Sequence, residues 1–339
     1  MNVLVTGGAG YIGSHAVLRL LEDRHAVTVV DDLSRGNRGA IDALSAVGEV
    51  CFVQGDVGDR TLIEPLLRER TIDVVMHFAA LTYVGESVQQ PLRYYRNNAA
   101  AALTLLEAME TVGVKRMVFS STAATYGEPH AEYIPIAETC PQNPINPYGR
   151  SKLQVERMLF DYAHMKQVRG EEFAFAVLRY FNVAGNDMLC RIGEDHKPET
   201  HLIPICLEVA IGQRPHITIF GRDYATPDGT CVRDYVHVED LIDAHITVMH
   251  ALQPGDMRTY NVGIGRGYSV REVVEACRRV TKAHFKAVDG QRREGDPPTL
   301  YADPAKIRRD LDWKALNTNL DAIIDSAWRW KQAHPNGYA

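Results

Sequence analysis

The chain has 339 residues and a formal net charge of −6 at pH 7, with 45% hydrophobic and 24% charged residues. This composition predicts a globular protein and excludes disorder as the main state. Mild acidity and the lack of a basic run argue against a nucleic-acid partner. The sequence contains no apolar run of about 18 residues, so it predicts no membrane span. The opening residues, MNVLVTGG, lack the basic segment and cleavage site of a signal peptide.

The cysteines and histidines indicate neither disulfides nor a metal site. Six cysteines are irregularly spaced and include no C-x-x-C pair. In a chain of this size they predict reduced thiols and a cytoplasmic location. The thirteen histidines form no H-E-x-x-H motif, and no histidine pair accompanies a cysteine pair. The pattern therefore predicts no metal site.

The first half of the sequence alternates apolar segments with segments of helical periodicity. Strands are predicted at 2–6, 26–30, 50–53, 73–78 and 116–120, and helices at 11–22, near 60–69 and near 91–112. This alternation predicts β-α-β units with right-handed crossovers, which build an α/β fold with a Rossmann-like doubly wound parallel sheet.

After about residue 180 the alternation weakens, and proline and glycine become frequent. Shorter strand and helix signals remain at 216–220, 238–251 and 270–281. We therefore expect a Rossmann domain over residues 1–180 and a smaller α/β lobe over residues 181–339, with the two interlocked along the chain.

A glycine motif, T-G-G-A-G-Y-I-G, follows the first predicted strand and opens the first helix. Gly7, Gly10 and Gly13 suit a tight turn, backbone approach to a pyrophosphate, and close packing of helix on strand. The helix N-terminus supplies N–H groups for the phosphates. The order of strand, glycines and helix predicts a dinucleotide site rather than a simple turn.

The acidic end of the second predicted strand indicates which dinucleotide binds. Asp31, followed by Asp32, lies where a carboxylate accepts hydrogen bonds from a ribose 2′-hydroxyl and repels a 2′-phosphate. Arg35 is a weaker signal in the opposite direction, since an arginine can hold a 2′-phosphate. Because the carboxylate comes first at the strand end, we expect NAD rather than NADP.

Two further strand ends are candidates for cofactor contacts. Asp56 follows the third strand, where it suits either the adenine amino group or a loop or helix-capping role. Phe78, Ala79 and Ala80 end the fourth strand, and their small side chains leave room for a ligand. His77, just before them, is predicted to be a packed structural residue.

Tyr148 and Lys152 are four residues apart at the start of a predicted helix and so share one face. A neighbouring ammonium and a nicotinamide cation would lower the pKa of the phenol, which is ordinarily about 10. Tyr148 could then take a proton from a substrate hydroxyl while hydride leaves the same carbon. Ser120 and Thr122 end the fifth strand, where a hydroxyl can contact the same oxygen. The alternative is a tyrosine and a lysine on a solvated helix face.

Together these motifs resemble the extended short-chain dehydrogenase/reductase family, and more narrowly the UDP-galactose (UDP-glucose) 4-epimerases. The resemblance rests on VTGGAGYIGSH at 5–15, SSTAATYGEP at 120–129, PYGRSK at 147–152, LRYFNVAG at 178–185 and DGTCVRDYVHVEDL at 228–241. It implies bound NAD, a UDP-hexose substrate and a homodimer formed through helices near 92–112 and 150–166.

The resemblance also implies a mechanism and a set of site residues. Tyr148 would take the C4 hydroxyl proton, and a transient 4-keto sugar would turn over before hydride returns to its other face. Thr122 would assist the proton transfer, and Lys152 would hold the nicotinamide ribose. NAD contacts are implied for Tyr11, Ile12, Asp31, Asp56, Val57, Phe78, Asn97 and Phe181. UDP-sugar contacts are implied for Asn182, His201, Leu202, Phe220, Arg233, Tyr235, Arg293 and Asp296.

Two departures from the family pattern bear on the substrate. His201 replaces an asparagine, which alters that contact. Leu300 stands where a bulky tyrosine excludes N-acetylated sugars in some members, so UDP-N-acetylglucosamine is an alternative substrate. Several motifs also resemble UDP-arabinose (UDP-xylose) 4-epimerases, which leaves a pentose open.

Three other functions are alternatives to an epimerase. A 4,6-dehydratase needs an acid and a base after the strand-end hydroxyl, where this chain has Ala123 and Ala124. An ordinary dehydrogenase would exchange its NAD and change the absorbance of the reduced cofactor. A non-catalytic NAD-sensing regulator would not need Tyr148 and Lys152 together with the arginines.

Overall fold

The chain folds into two compact units in the computed structural model, which describes residues 1–293 and 296–338. The first unit comprises Met1–Gly127, Gln142–Arg179 and Ile242–Tyr260. The second comprises Glu128–Pro141, Tyr180–Leu241 and Asn261–Ala339. The predicted division near residue 180 corresponds to one of these boundaries. A single division near residue 180 would place 128–141 in the first unit and 242–260 in the second. In the structure, 128–141 belongs to the second unit and 242–260 to the first.

The helices and strands are numbered in chain order. The helices are α1 Tyr11–Glu22, α2 Arg38–Ser45, α3 Arg60–Glu69, α4 Val84–Gln89, α5 Pro91–Tyr94, α6 Ala101–Val112, α7 Pro147–Val168, α8 Leu202–Ala210, α9 Val238–Ala251, α10 Val270–Thr281, α11 Ala305–Leu311 and α12 Leu320–Ala333. The strands are β1 Asn2–Thr6, β2 Ala26–Asp31, β3 Val50–Gln54, β4 Val74–His77, β5 Arg116–Thr122, β6 Ala174–Tyr180, β7 Asn182–Ala184, β8 Ile217–Phe220, β9 Val232–Arg233, β10 Tyr235–His237, β11 Met257–Val262, β12 Tyr268–Ser269, β13 Ala287–Gly290 and β14 Thr299–Leu300. A π-helical turn, Tyr95–Ala100, joins α5 to α6.

The first unit is built on a seven-stranded sheet with the order β3-β2-β1-β4-β5-β6-β11. Strands β1 to β5 pair in parallel. Strands β1, β2, β4, β5 and β6 are almost entirely buried, as expected of a parallel sheet with helices on both faces, and this explains their continuous apolar runs. The predicted Rossmann-like doubly wound fold is confirmed.

One face of this sheet forms a core with three helices. Phe119 of β5 packs in one buried cluster with Leu67 of α3, Leu105 of α6 and Leu159 of α7. Burying each such side chain contributes about 1.5–3 kcal/mol before entropy is counted. The core therefore fixes α7, the helix that carries Tyr148, against the sheet.

The second unit has three small sheets and a helical core. Strand β7 pairs with β10, β9 lies between β12 and β14, and β8 pairs with β13. Helices α8, α10 and α12 share a buried cluster that includes Cys206, Cys277 and Ile324. Several of these strands are only two or three residues long, too short for the sequence to show alternation. No helix in the described part of the chain is long and apolar enough to cross a bilayer.

Candidate active site

The glycine motif makes a cradle at the start of α1. Gly7 has a φ of +73°, and a Cβ there would lie 2.6 Å from the backbone nitrogen of Ala79. A Cβ on Gly13 would lie 2.1 Å from the carbonyl oxygen of Gly7. Gly10 precedes the helix and offers no capping side chain, and N–H groups at such a helix start suit a phosphate group. The residues present fit a dinucleotide.

Asp31 ends β2 beside this cradle, as predicted. Its carboxylate accepts hydrogen bonds from the N–H groups of Ala9, at 3.0 Å, and Leu33, at 2.9 Å. The Arg35 guanidinium donates to Glu86 at 2.6 Å and lies over the Tyr83 ring. These contacts disfavour a phosphate-binding role for Arg35. These contacts favour a ribose hydroxyl at Asp31 over a 2′-phosphate.

The other predicted cofactor residues differ in what their side chains contact. Two of them accept hydrogen bonds from the backbone: Asp56 from Gly58 N at 2.8 Å, and Asn97 from Leu81 N at 3.0 Å. Val57 is packed in the apolar core, so only its backbone remains for a ligand. The half-buried residues are Phe78, Ala79, Ala80 and Phe181, whereas Asp32 is exposed.

Tyr148 is buried near the start of α7, within hydrogen-bond reach of the Thr122 hydroxyl that ends β5. Asn146 caps the helix by accepting from Gly149 N at 2.9 Å, and Pro147 is its first residue. Burial raises the pKa of Tyr148, and the hydrogen bond with Thr122 opposes this rise. The protein groups alone therefore raise the pKa of Tyr148. The lower pKa predicted from the sequence also requires the nicotinamide cation.

Lys152 lies one turn further along α7 and is buried. Its Nζ donates to the backbone oxygen of Ser120 at 2.8 Å and lies 4.9 Å from the centre of the Phe119 ring. Burial lowers its pKa to about 7, against the attraction of Glu156. Ser120 therefore contributes its carbonyl to Lys152, while its hydroxyl is 3.0 Å from His245 Nε2. A lysine whose Nζ reaches the end of β5 and a buried phenol suit acid–base chemistry at a substrate hydroxyl.

A buried ion pair, which the sequence reasoning missed, anchors α7 to the sheet. Glu156 accepts from Nε of Arg179 at 3.1 Å and from its Nη2 at 2.6 Å. It also accepts from the Ser121 hydroxyl and from Gln142 Nε2 at 2.9 Å. Asn98, also missed, donates to Ser151 at 3.0 Å. No local motif marks these residues, since their partners are distant in sequence.

In the second unit, short β-ladders align several residues predicted to contact a UDP-sugar. Asn182 pairs with Tyr235 in the β7–β10 ladder, and Arg233 pairs with Leu300 in the β9–β14 ladder. Asp234, which the sequence analysis did not single out, accepts from the N–H groups of Ile264, Gly265 and Ala302. Burial raises the pKa of Asp234 to about 6. This carboxylate fixes the loops around Arg233.

The cationic residues predicted for the diphosphate lie near these ladders. Arg233 Nη2 is 3.8 Å from Asp296 Oδ1, and the Arg293 guanidinium lies 3.9 Å from the centre of the Phe220 ring. Guanidinium groups match the oxygens of a diphosphate. Tyr235, in contrast, is packed in the apolar core of this unit.

His201 occupies the N-cap position of α8 without a side-chain capping hydrogen bond, just before the half-buried Leu202. Its Nδ1 is 2.8 Å from Glu199 Oε1 and 3.3 Å from Glu194 Oε1. The His201 side chain, which the resemblance implies as an altered UDP-sugar contact, therefore presents its Nδ1 to two carboxylates. With His196 these residues form a cluster of metal-ligating groups. The spacing E-x-H-x-x-E-x-H was the signal available for it.

Comparison with known proteins identifies the family. The sequence profile of the NAD dependent epimerase/dehydratase family matches residues 3–263. The chain belongs to this family. Membership confirms the expected cofactor, NAD, and the extended short-chain dehydrogenase/reductase resemblance.

Individual relatives are similar along the whole chain. A UDP-glucose 4-epimerase of Lactobacillus helveticus is 48% identical, over 100% of this chain and 99% of that protein. A probable UDP-arabinose 4-epimerase 3 of Arabidopsis thaliana is 47% identical, over 100% of this chain and 82% of that protein. The structure of a UDP-glucose 4-epimerase from Bifidobacterium longum, in complex with NAD⁺ and UDP, has a TM-score of 0.94 at 38% identity. That match covers 99% of this chain and 100% of the other.

Proposed function

We propose that the chain is a UDP-glucose 4-epimerase, which interconverts UDP-galactose and UDP-glucose through a transient 4-keto sugar. The observation that carries the proposal is the buried group formed by Tyr148, Thr122 and Lys152 at the carboxyl end of β5. Its position in the same unit as the glycine cradle combines acid–base and dinucleotide chemistry.

The chain's own residues position the proton transfer. NAD, when bound, would supply a hydride acceptor for the C4 carbon. Tyr148 takes the C4 hydroxyl proton, and Thr122 holds the same oxygen by a hydrogen bond. Lys152, pointed at the Ser120 carbonyl, provides the positive charge that favours the phenolate. The same groups return the proton after the sugar turns over.

The arginines of the second unit support a nucleotide-sugar substrate. Arg233 and Arg293 offer forked donors for a diphosphate, with Asn182 and Asp296 among the polar groups nearby in the fold. A 4,6-dehydratase is disfavoured, because Ala123 and Ala124 form the turn after Thr122 and supply neither acid nor base. A non-catalytic regulator would gain nothing from burying Tyr148.

A pentose is the second candidate substrate. It is favoured by the 47% identity to UDP-arabinose 4-epimerases. Purified protein, assayed without added NAD on UDP-glucose, UDP-N-acetylglucosamine and UDP-xylose, separates these possibilities. We expect the highest kcat/KM for UDP-glucose, and turnover without added NAD indicates that the cofactor copurifies. A higher value for UDP-xylose would make the pentose the principal substrate.

Replacement of the phenol tests the mechanism. Tyr148→Phe removes only the hydroxyl, so it is expected to lower kcat by about 10²- to 10⁴-fold, the usual contribution of a positioned acid–base group. The matched control is Tyr133→Phe, at an exposed tyrosine, which should retain the parent rate. A Tyr148→Phe enzyme with near-parent activity would contradict the assignment.

We also propose a cytoplasmic homodimer. The described cysteines are all free thiols, which suits the reducing cytoplasm. The helices implied for the dimer carry exposed apolar side chains, among them Leu92 on α5, 81% exposed, Leu103 on α6 and Phe160 on α7. Apolar side chains exposed on helices of one unit are typical of a contact between subunits.

A further inference from the structure

A cluster of two histidines and two glutamates lies in the second unit, outside the residues assigned to acid–base chemistry. Glu194, His196, Glu199 and His201 each contribute one ligand atom, and these atoms lie within 4.8 Å of one another. All four belong to an eight-residue segment that ends where α8 begins.

The distances between the imidazole nitrogens and the carboxylate oxygens of the cluster are close to those between the ligands of a tetrahedral metal site. His196 Nδ1 lies 3.2 Å from Glu194 Oε1 and 3.5 Å from Glu199 Oε2. His201 Nδ1 lies 3.3 Å from Glu194 Oε1 and 2.8 Å from Glu199 Oε1. Metal–ligand bonds of about 2.0–2.1 Å at tetrahedral angles place neighbouring ligands about 3.3 Å apart. The four nitrogen–oxygen separations are close to this value, and Glu199 presents Oε2 to His196 and Oε1 to His201.

Burial and charge favour a cation at this position. The side chains of Glu194 and Glu199 are only 6% and 4% exposed, and two buried carboxylates need compensating positive charge. A cavity of about 30 Å³, which is space enough for an ordered water, is lined by Glu194, His196 and Glu199 and also by Glu208 and Lys331. His201, at 41% exposure, leaves a side open to solvent.

We propose that Glu194, His196, Glu199 and His201 bind a Zn²⁺ ion. Two imidazole nitrogens disfavour Mg²⁺ and Ca²⁺, which prefer oxygen ligands, and a tetrahedral N₂O₂ set suits Zn²⁺. With four protein ligands the site is structural. The ion cross-links the segment 194–201, which ends at His201, the residue before α8, so its effect is on the stability of this unit.

Metal content and affinity test the proposal in the full chain. Protein purified from zinc-supplemented medium is expected to hold about one Zn²⁺ per chain, and chelator-treated protein should rebind Zn²⁺ and regain its original melting temperature. Co²⁺ should produce the strong visible absorption of a tetrahedral complex. His196→Ala is expected to weaken Zn²⁺ binding by more than about 100-fold, above the loss typical of residues that only support ligands.

Two further variants separate loss of a ligand from loss of the fold. Glu194→Gln keeps the size of the side chain and should also weaken Zn²⁺ binding, even if His196→Ala fails to fold. His216→Ala, at an exposed histidine of the same unit, should bind like the parent. Two results would overturn the proposal: parent protein that does not bind Zn²⁺, in which case the cluster is an ion-pair network, or unchanged affinity in Glu194→Gln, in which case any Zn²⁺ binds elsewhere.

Discussion

Replacing Glu156 with leucine is expected to destabilise the first unit strongly. Glu156 and Arg179 have side chains only 2% and 6% exposed, and they are joined by a bidentate ion pair. Removing one partner of a buried pair leaves the other charge uncompensated, which costs about 3–5 kcal/mol. The Ser121 hydroxyl and Gln142 would also lose their acceptor, so the cost should lie near the upper end of this range.

Urea-induced unfolding measures this effect through a double-mutant cycle. Arg179→Met removes the other partner, and the double variant Glu156→Leu/Arg179→Met removes both charges together. The double variant should be more stable than the sum of the single effects by at least about 3 kcal/mol, because no charge is left buried alone. Lys115→Met serves as the control, since Lys115 forms an exposed pair with Glu172, which contributes less than about 1 kcal/mol. A cost below about 1 kcal/mol for Glu156→Leu, or strictly additive effects, would refute this account.

Three further predictions concern pH, assembly and the substrate. Burial, reinforced by Lys152, lowers the pKa of His77 to about 3, so below about pH 6.5 the unfolded chain binds the proton more readily, and the free energy of unfolding decreases by about 1.4 kcal/mol for each pH unit of acidification. His77→Gln should lose less stability than the parent, by about 2 kcal/mol, between pH 7.5 and pH 5 in urea titrations; equal losses would contradict this. Leu92→Glu/Phe160→Glu should sediment as a monomer where the parent is a dimer, and an unchanged dimer would place the interface elsewhere. Leu300→Tyr should reduce kcat/KM for UDP-N-acetylglucosamine more than for UDP-glucose, and equal effects would remove Leu300 from sugar selection.

The sequence predicted the parts of the site that rest on contiguous residues. The glycine cradle, Asp31 at its strand end and the Tyr148–Lys152 pair each follow from a short motif, because backbone geometry alone places them. The same holds for the long apolar strands of the sheet, whose bounds the structure reproduces closely.

Contacts between distant segments could not be predicted in this way. Glu156 is paired through β5 and β6, and Asn98 reaches Ser151 from a π-helical turn that has no marked sequence signal. The two-residue strand that carries Arg233 exists because β12 and β14 pair with it, not because of its own composition. The cluster around His196 was missed because its spacing differs from the H-E-x-x-H motif.

The polar contacts of α7 explain how a buried helix keeps one rotation. Apolar packing against β5 tolerates small rotations and shifts of a helix, since apolar contacts have no direction. Ser151, Lys152 and Glu156 each have a fixed polar partner, and a rotated helix would leave two charges buried without partners, at several kcal/mol. These polar contacts therefore favour the one rotation of α7 that directs the Tyr148 hydroxyl toward Thr122. The double variant that removes both charges of the Glu156–Arg179 pair should therefore regain stability more completely than epimerase activity. The apolar replacements restore the packing of α7, but they do not restore the polar contacts that set its rotation.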